Sequence, residues 1–264
     1  MFRLGLTPPH PCDYLPGELS RSLVVIDEEA LDPHAYEFLL AQGFRRSGTH
    51  AYRPWCDRCR QCIPARIPVA AFRPNRSQRR ILGKNRDLSA EWHSATELSD
   101  EQWQLYHRYL QARHGEGDMA RAGRAASNDF LFSHWAETEL LELRLEGELV
   151  AVAVTDVQPR SLSALYTFFA PEQAGRSLGS FAIIEQVEAA RAAGRSWLYL
   201  GYWIAPCRKM SYKANFLPLE VRRPEREIRA EQWQRLADRQ AREAFLAELE
   251  SDSFHWSREY SVQK

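Results

Sequence analysis

Three cysteines stand at intervals of three residues in the first quarter of the chain, at Cys56, Cys59 and Cys62. A tight turn brings residues with this spacing to a common centre, so the pattern is typical of thiolates that bind one metal ion. Cys12 or His50 is the candidate fourth ligand of a structural zinc or iron–sulfur site. The alternative is a set of reduced thiols without a metal, and the sequence leaves both open.

A basic segment runs from Arg45 to Arg86. It contains twelve arginines and lysines and one acid, Asp57, although the whole chain carries 35 basic and 35 acidic residues and no net charge. Such a local excess predicts an anion-binding surface and not a basic protein, and nucleic acid is one partner that fits it. A solvated arginine-rich face is the alternative.

Length and composition exclude several classes of protein. The 264 residues, 44% of them hydrophobic, suffice for one large domain or two small ones and exclude disorder over most of the length. No run approaches the roughly 18 apolar residues of a membrane span. Five cysteines, an odd number, without a secretory signal argue against a disulfide framework and predict a cytoplasmic protein.

Local signals predict the elements that position these residues in the N-terminal part. We expect a strand over 21–26, a helix over 32–42, a hairpin over 44–53, a strand over 63–69 and a basic helical stretch over 78–88. Asp32 suits a helix N-cap and Pro33 the first helical position. The prolines of the strand over 63–69 predict that it lies at a sheet edge, because proline cannot donate a ladder hydrogen bond.

The second part of the chain predicts a mixed sheet with a crossover helix. Ser99 and Gln102 form a capping-box pattern before a helix. Further elements are a short helix over 129–137, a hairpin of strands 140–145 and 149–157, a strand over 162–169, a helix over 178–193 and a strand over 197–202. The charged tail predicts an amphipathic helix that starts near Trp233.

Several sequence strings between residues 10 and 220 occur together in one known family. They are Gly43-Phe-Arg-Arg-Ser-Gly48, Tyr52-Arg-Pro-Trp-Cys56, Phe72-x-Pro-Asn-Arg76-Ser-Gln-Arg-Arg80, Tyr166-Thr-Phe-Phe-x-Pro171, Arg176-Ser-Leu-Gly179 and Leu200-Gly-Tyr-Trp-Ile204, with Lys209 and Tyr212-Lys213 after the last. The set resembles the aminoacyl-tRNA–protein transferases, and most closely their bacterial branch.

This resemblance implies a function, partners and a fold. The family transfers an aminoacyl group from a charged tRNA to the α-amino group of proteins that begin with Asp or Glu, which marks them for degradation. The bacterial branch uses leucyl-tRNA and the eukaryotic branch arginyl-tRNA. The implied fold is α/β (α+β). Residues 1–95 would form a smaller Cys- and Arg-rich acceptor-recognition region, 96–222 a GNAT-like transferase domain with a mixed sheet, and 223–264 a charged helical tail. No cofactor is required for transfer and no membrane is involved.

The implied reaction needs groups that hold the tRNA end beside the amine, accept a proton and stabilise an oxyanion. The α-amino group has a pKa of roughly 7.7–8.0, so a base helps only modestly. Tyr202 and Tyr212 are the candidate donors to the oxyanion or leaving hydroxyl, because they lie at and after the end of the last strand. Asp156 is the candidate general base, with a hydrogen-bonded turn aspartate as the alternative.

Substrate binding is predicted for a second group of residues. They are Arg66, Arg76, Arg79, Arg80, Tyr166, Lys209 and Lys213. The arginines match either the acceptor carboxylate or tRNA phosphates, and the sequence leaves both open. The two lysines would clamp phosphate, and Tyr166 lies on a strand that could face either way.

Three other functions remain open at this point. One is arginyl transfer. Another is N-acetyl transfer from acetyl-CoA, although Phe181 would obstruct the pyrophosphate loop at Arg176–Gly179. The third is a non-catalytic RNA-binding or metal-sensing module, which accounts for the basic segment and the cysteines but not for the C-terminal strings.

Overall fold

The computed structural model describes residues 2–115, 121–224 and 233–259, whose strands form three sheets. The strands are β1 (Leu4–Leu6), β2 (His10–Pro11), β3 (Leu19–Ser20), β4 (Ser22–Val25), β5 (Arg45–Ser47), β6 (His50–Pro54), β7 (Ile63–Pro68), β8 (Leu88–Ser94), β9 (Glu137–Leu145), β10 (Glu148–Val157), β11 (Ser161–Phe169), β12 (Trp197–Trp203), β13 (Leu219–Arg222) and β14 (Trp233–Leu236). The α-helices are α1 (Pro33–Ala41), α2 (Arg76–Lys84), α3 (Asp100–His114), α4 (Arg124–Leu131), α5 (Leu178–Ala192), α6 (Arg208–Ser211) and α7 (Arg239–Glu259). Within these ranges, no helix combines the length and the apolar character that crossing a membrane requires.

The large sheet has the strand order β14-β13-β7-β12-β11-β10-β9-β8. Neighbouring strands are antiparallel except β11 and β12, which are parallel. Two parallel strands need a crossover connection, and α5 lies in the chain between them. The predicted α/β class, with a mixed sheet and a crossover helix, is confirmed.

Helix α5 contributes to two apolar clusters on this sheet. Ile184 and Val187 belong to a buried cluster with residues of β7, β12 and β13. Leu178 and Phe181, one turn earlier, belong to a second buried cluster with residues of α3, β9 and β10. Burial of each such side chain stabilises the fold by about 1.5–3 kcal/mol. The helix therefore holds together the two halves of the sheet, which meet at β11 and β12.

The prediction that the strand over 63–69 lies at an edge is wrong. β7 lies inside the large sheet, between β13 and β12, and all six of its residues are buried. The ladder to β13 includes only Ala65 and Arg66. Neither Pro64 nor Pro68 therefore has to donate a ladder hydrogen bond on that side, and the sheet tolerates both prolines.

The small N-terminal sheet has the order β1-β4-β6-β5 and carries α1. The predicted helix and hairpin are confirmed. The Asp32 side chain caps α1 by accepting from the Ala35 amide at 2.7 Å. Gly43 ends the helix at φ +83°, and a Cβ there would lie 2.9 Å from the Pro64 ring, so glycine alone fits.

The strands of the large sheet come from both sides of residue 95. β7 and β8 precede it, while β9–β13 follow it. The predicted boundary at residue 95 therefore does not coincide with a boundary of the sheet. β14, from the region after residue 222, adds the last strand beside β13.

Two predicted elements differ from the structure. The short helix occupies 124–131 and not 129–137, because Glu137 already begins β9. Trp233–Leu236 form strand β14 and not the start of a helix: they pair with β13, and the Trp233 indole donates to the Ala41 carbonyl at 3.0 Å. The tail helix begins at Arg239, and residues 225–232 and 260–264 of the tail lie outside the described residues.

Candidate active site at the splayed strands

The parallel strands β11 and β12 separate part of the way along the sheet. They pair over three positions, from Ser161–Trp197 to Ser163–Tyr199. Both strands continue beyond this ladder, β11 beside β10 and β12 beside β7. A register shift of the β12–β7 ladder falls between Tyr199 and Gly201, at the level where the gap opens. Carboxyl ends of parallel strands in an open sheet are a common place for ligands.

The guanidinium of Arg45 occupies this gap. Arg45 lies on β5 of the small sheet, and its Nη2 donates to the Leu165 carbonyl of β11 at 2.5 Å. On the β12 side, a Cβ built on Gly201, which has φ +73°, would lie 2.8 Å from Nη1. Glycine is therefore required at this position so that the guanidinium can lie against the strand. The Arg45 Nε is buried and has no hydrogen-bond partner.

Arg45 is a site residue that the sequence analysis did not select. It is the first residue of the basic segment and part of the string Gly43-Phe-Arg-Arg-Ser-Gly48, which marked the position but not the role. Tyr14, Tyr52 and Tyr202 lie within electrostatic range of its charge. Burial raises the pKa of Tyr14 to about 12, so its hydroxyl stays protonated.

Tyr202, a predicted catalytic residue, is hydrogen-bonded to two backbone carbonyls. It is 2% exposed, and its hydroxyl contacts the carbonyls of Gly43 at 3.0 Å and Tyr52 at 3.2 Å. Burial holds its pKa well above the usual value. These contacts fasten the β5–β6 hairpin to β12, and this placement favours an anchoring role over donation to a substrate.

Tyr212, the second predicted catalytic residue, lies nearer the surface. It begins the short 3₁₀ helix Tyr212–Asn215 after α6, and it is 39% exposed. Arg45, Tyr109 and Arg113 lie within electrostatic range of its hydroxyl. Burial raises the pKa of the Tyr212 hydroxyl, so this hydroxyl stays protonated although the residue as a whole is partly exposed. The structure therefore brings Tyr212 toward the same gap as Arg45.

Tyr166 faces a group of aromatic rings on the α3 side of the sheet. Its ring meets those of Tyr106 at 5.9 Å, Tyr109 at 6.3 Å and Phe130 at 5.7 Å, all edge-on. Arg113, near the end of α3, lies over the Tyr109 ring at 5.6 Å. The predicted substrate-binding residue Tyr166 thus belongs to an apolar wall one residue along β11 from Leu165.

The two predicted lysines differ in exposure. Lys209 is exposed on α6 and can meet an anion in solvent. Lys213 is 5% exposed, and its Nζ donates to the Tyr202 carbonyl at 2.8 Å. Burial, assisted by the nearby Arg45 charge, holds the pKa of Lys213 well below its usual value. A buried and bonded amine is not placed to clamp phosphate from solvent.

Asp156 does not lie at the gap as a free base. It is fully buried, and its two carboxylate oxygens accept from Arg46 Nε at 2.9 Å and Nη2 at 2.5 Å. The Thr138 hydroxyl also donates to it, at 2.9 Å. The prediction of a general base at Asp156 conflicts with this placement, because both oxygens are occupied and no exposed surface remains for a substrate proton.

Arg66 is likewise held by hydrogen bonds within the large sheet. Its Nε donates to Glu220 at 2.8 Å and its Nη1 to the Tyr199 hydroxyl at 3.0 Å. The guanidinium stacks between the rings of Trp197 at 4.3 Å and Trp233 at 4.2 Å. This arrangement braces β7, β12, β13 and β14, and it leaves Arg66 unfit to read a substrate carboxylate.

Arg76, Arg79 and Arg80 lie together on α2 and are exposed. The helix starts at a capping box in which Asn75 accepts from the Gln78 amide at 3.0 Å. Arg79 donates to the Pro74 carbonyl at 2.6 Å, and no ion pair joins the three arginines to a carboxylate of the described residues. α2 therefore presents a positive face to solvent.

The four predicted metal ligands are neighbours in space. Cys12, Cys56 and Cys59 all contribute to a raised pKa at Cys62, whose largest cause is burial. Cys56 donates a weak hydrogen bond to the Arg21 carbonyl at 3.8 Å. Across residues 2–115, 121–224 and 233–259, no three His, Cys, Asp or Glu side chains converge as metal ligands do, and the metal site stays a prediction.

Comparison with known proteins identifies relatives along most of the chain. Residues 10–80 match the family profile of the arginine-tRNA-protein transferase N terminus, and residues 101–223 match that of its C terminus. Among curated relatives, an aspartate/glutamate leucyltransferase of Pseudomonas fluorescens strain Pf0-1 is 46% identical over 81% of this chain and 91% of its own length. One of Aeromonas hydrophila is 47% identical over 83% of this chain and 92% of its own.

Solved structures give more distant likenesses. L-PGS from Bacillus licheniformis overlaps 55% of this chain and 46% of its own, with a TM-score of 0.41 and 14% identity. A GCN5-related glucosamine N-acetyltransferase region of a fungal multi-domain enzyme overlaps 72% of this chain and 22% of its own, with a TM-score of 0.39 and 10% identity. Likeness at this level does not bear on function.

Proposed function

This chain belongs to the arginine-tRNA–protein transferase family of aminoacyltransferases, and we propose that it transfers leucine from leucyl-tRNA to the α-amino group of proteins that begin with Asp or Glu. The observation that carries the proposal is the identity of 46–47% to relatives named aspartate/glutamate leucyltransferase, over nearly the whole of their length. The product, with an N-terminal leucine, would carry a degradation signal. The reaction would take place in the cytoplasm, where charged tRNA is available.

The geometry at the splayed strands supports this chemistry. An aminoacyl-tRNA ester is already activated, so the protein has to align amine and ester and stabilise the negative charge that develops. The gap between β11 and β12 holds Arg45 between the strands as a fixed charge for binding an anionic part of a substrate. Tyr212 lies beside the gap and supplies a hydroxyl for the reacting atoms. We propose that the reacting ends meet here, with Tyr212 as donor to the oxyanion or the leaving hydroxyl.

The exposed face of α2 supports a role in tRNA binding. Arg76, Arg79 and Arg80 project into solvent without carboxylate partners among the described residues. Phosphate binding by such side chains releases counterions and depends steeply on salt. Of the two roles left open by the sequence, we propose tRNA phosphate binding for these three, with Lys209 as a further contact.

Transfer of radiolabelled amino acids tests the proposed function. Total tRNA is charged with leucine or with arginine and offered, with the purified protein, to peptides that begin with Asp, Glu or Lys. We expect leucine to appear on the Asp and Glu peptides only. Arginine as the only donor would refute the leucine assignment, and no transfer with either donor would favour a non-catalytic RNA-binding module.

Acetyl transfer from acetyl-CoA needs a separate test. The expected obstruction of a pyrophosphate loop at the start of α5 by Phe181 is not seen, because Phe181 is buried in the core. Arg176, in the same loop, is engaged by Asp87 at 2.8 and 2.9 Å. Titration with acetyl-CoA, with leucyl-tRNA as the matched ligand, decides: binding of acetyl-CoA alone would support the rival function.

The proposed transfer uses no metal in any step. Zinc or an iron–sulfur cluster at Cys12, Cys56, Cys59 and Cys62 stays a prediction about structure. Elemental analysis of anaerobically purified protein tests it. About one zinc, or a stoichiometric cluster, per chain would support it, and well under one of either, with the four thiols open to titration, would rule it out.

A further inference from the structure

We infer that Arg45 binds the side-chain carboxylate of the acceptor's first residue and thereby selects Asp and Glu. This inference rests on the proposed function, which it deepens by assigning the residue that reads the acceptor. The sequence pointed instead to the exposed arginines of α2 for this task.

The charge of Arg45 is only partly satisfied by hydrogen bonds. A guanidinium has five N–H donors and stays protonated in proteins. One of them reaches the Leu165 carbonyl, and no hydrogen bond or ion pair joins the others to any residue in the described ranges. Arg45 is half-buried and its Nε is covered, so part of its charge is withdrawn from water without an opposite partner, and an anion is the expected ligand of this side chain.

Arg46, the next residue along the chain, has the hydrogen-bond and ion-pair partners that Arg45 lacks. These are the carboxylate of Asp156 and two backbone carbonyls, those of Gly48 and Leu131. Successive residues of a strand point to opposite faces, so the two side chains enter different surroundings. The missing carboxylate at Arg45 is therefore particular to the gap and is not a general property of the hairpin.

The position of Arg45 also favours the acceptor as its ligand. The Arg45 guanidinium lies between Leu165 of β11 and Gly201 of β12, where the strands diverge. The side-chain carboxylate of an N-terminal Asp or Glu is only two or three carbon–carbon bonds from the carbon that carries the attacking amine. A carboxylate held at Arg45 therefore keeps that amine at the same gap, where we propose that it meets the ester.

The surroundings of Arg45 favour a carboxylate over a phosphate. A planar guanidinium pairs with either anion through parallel hydrogen bonds. The Arg45 site lies between two strands, its Nε fully covered, whereas a tRNA backbone presents its phosphates along an extended surface. Exposed arginines on α2 meet that second need. The half-buried position between the strands fits the small acceptor side chain better.

The test compares acceptors that differ only in charge. Leucine transfer is measured as kcat/KM on peptides that begin with Glu or with Gln, for the wild type, Arg45→Gln and Arg45→Lys. Removal of one partner from a buried charge pair costs at least about 2 kcal/mol, which corresponds to roughly 30-fold. We expect Arg45→Gln to lose about 30-fold or more on Glu and no more than about threefold on Gln. Arg45→Lys keeps the positive charge but not the planar fork of N–H donors. Its kcat/KM on the Glu peptide should therefore lie between those of the wild type and Arg45→Gln.

Controls keep the outcome decisive. Arg239→Ala removes an exposed arginine that pairs only with Glu243 among the described residues, and it should leave both acceptors unchanged. Circular dichroism and the melting temperature establish that each variant is folded. If Arg45→Gln does not fold, Arg45→Lys decides, and it should narrow the preference for Glu over Gln by about three- to tenfold, because the charge remains without the planar fork.

Three results would overturn the inference. An equal loss of kcat/KM on the Glu and Gln peptides would show that Arg45 contributes to binding of the aminoacyl-tRNA or to folding, and not to recognition of the acceptor side chain. A lower tRNA affinity with a shallower salt dependence would assign it to phosphate. Unchanged activity on both acceptors would leave it without a role in transfer. Absence of leucine transfer by the wild type would instead overturn the proposed function, so the two failures are distinguishable.

Discussion

The buried pair of Arg46 and Asp156 allows a sharp test of what this aspartate does. The perturbation is Asp156→Asn, which keeps the shape of the side chain and removes its charge. The substitution leaves the Arg46 guanidinium, fully buried in the native fold, without a counter-charge. If Asp156 is structural, the main effect is a loss of stability. If it is the general base of the sequence prediction, the main effect is a loss of turnover.

The magnitude follows from burial and geometry. Both side chains are 0% exposed and two hydrogen bonds, of 2.9 and 2.5 Å, join them. Removing one partner of such a pair destabilises a protein by about 3–5 kcal/mol, because the other charge stays buried. Replacing both partners with apolar residues of similar size is far less costly. We therefore expect Arg46→Met combined with Asp156→Leu to be more stable than Asp156→Asn alone.

The assay is unfolding by guanidinium chloride, with the free energy of unfolding taken by linear extrapolation. Glu172→Gln is the matched control, since it removes a carboxylate from an exposed pair with Arg108. Pairs of that kind contribute about 0–1 kcal/mol. Transfer activity is measured at a temperature at which every variant is folded.

One result would refute the structural assignment. That result is an unfolding free energy of Asp156→Asn within about 1 kcal/mol of the wild type, a difference typical of exposed pairs, together with loss of turnover at saturating acceptor. A large loss of stability in the double apolar variant would also contradict the reasoning, because it would show that the cost does not come from the unpaired charge.

Three further predictions follow from the same geometry. Gly201→Ala should destabilise the fold by at least about 1 kcal/mol and abolish most transfer, since its Cβ would meet the Arg45 guanidinium at a positive φ; Gly83→Ala, in open space on α2, should be neutral or stabilising in the same unfolding assay. Arg79→Ala should lower the slope of log tRNA affinity against log salt by roughly 0.7–0.9 in a binding titration, and an unchanged slope would remove Arg79 from the tRNA surface. Lys213→Met should be more stable than the wild type near neutral pH, because the folded state of the wild type disfavours a charge that the unfolded state carries up to about pH 10.4. The contribution of Lys213 to the stability of the wild type rises with pH toward that value. The difference in unfolding free energy between Lys213→Met and the wild type should therefore shrink as the pH rises. A difference that does not change with pH in denaturation curves would contradict the lowered pKa of Lys213.

Elements with a local chemical signal could be predicted from the sequence. Ser99 and Gln102 form the expected capping box at the start of α3, with both reciprocal bonds present. The turn between β9 and β10 uses Glu146 at φ 52° and Gly147 at φ 91°, as a two-residue hairpin requires. In these cases the residues that determine the structure lie within a few positions of one another.

Features set by distant residues could not be predicted. The prolines of β7 favoured an edge strand. The sequence does not show that β13, more than 150 positions later, pairs with β7 only at Ala65 and Arg66. Asp156 appeared accessible because nothing near it in sequence reveals Arg46. The same holds for Tyr202 and Lys213, whose polar atoms are bonded to backbone carbonyls that only the fold brings close.

The pair of adjacent arginines on β5 explains why the candidate site was hard to see and how it is built. Their side chains point to opposite faces of the strand, so Arg46 pairs with Asp156 while Arg45 enters the gap between β11 and β12.

The ion pair that fastens the β5–β6 hairpin and the candidate site therefore depend on adjacent residues of one strand. Arg46 fastens the hairpin to β10 on one side, the Tyr202 hydroxyl fastens it to β12 on the other, and the unpaired guanidinium is held between the two attachments. A side chain held in this way meets its ligand without first being ordered, so little conformational entropy is lost when the ligand binds. The basic segment thus contains two different chemical surfaces, one fixed between strands and one exposed on α2, and only the second has the solvent exposure that a count of charges along the sequence suggests.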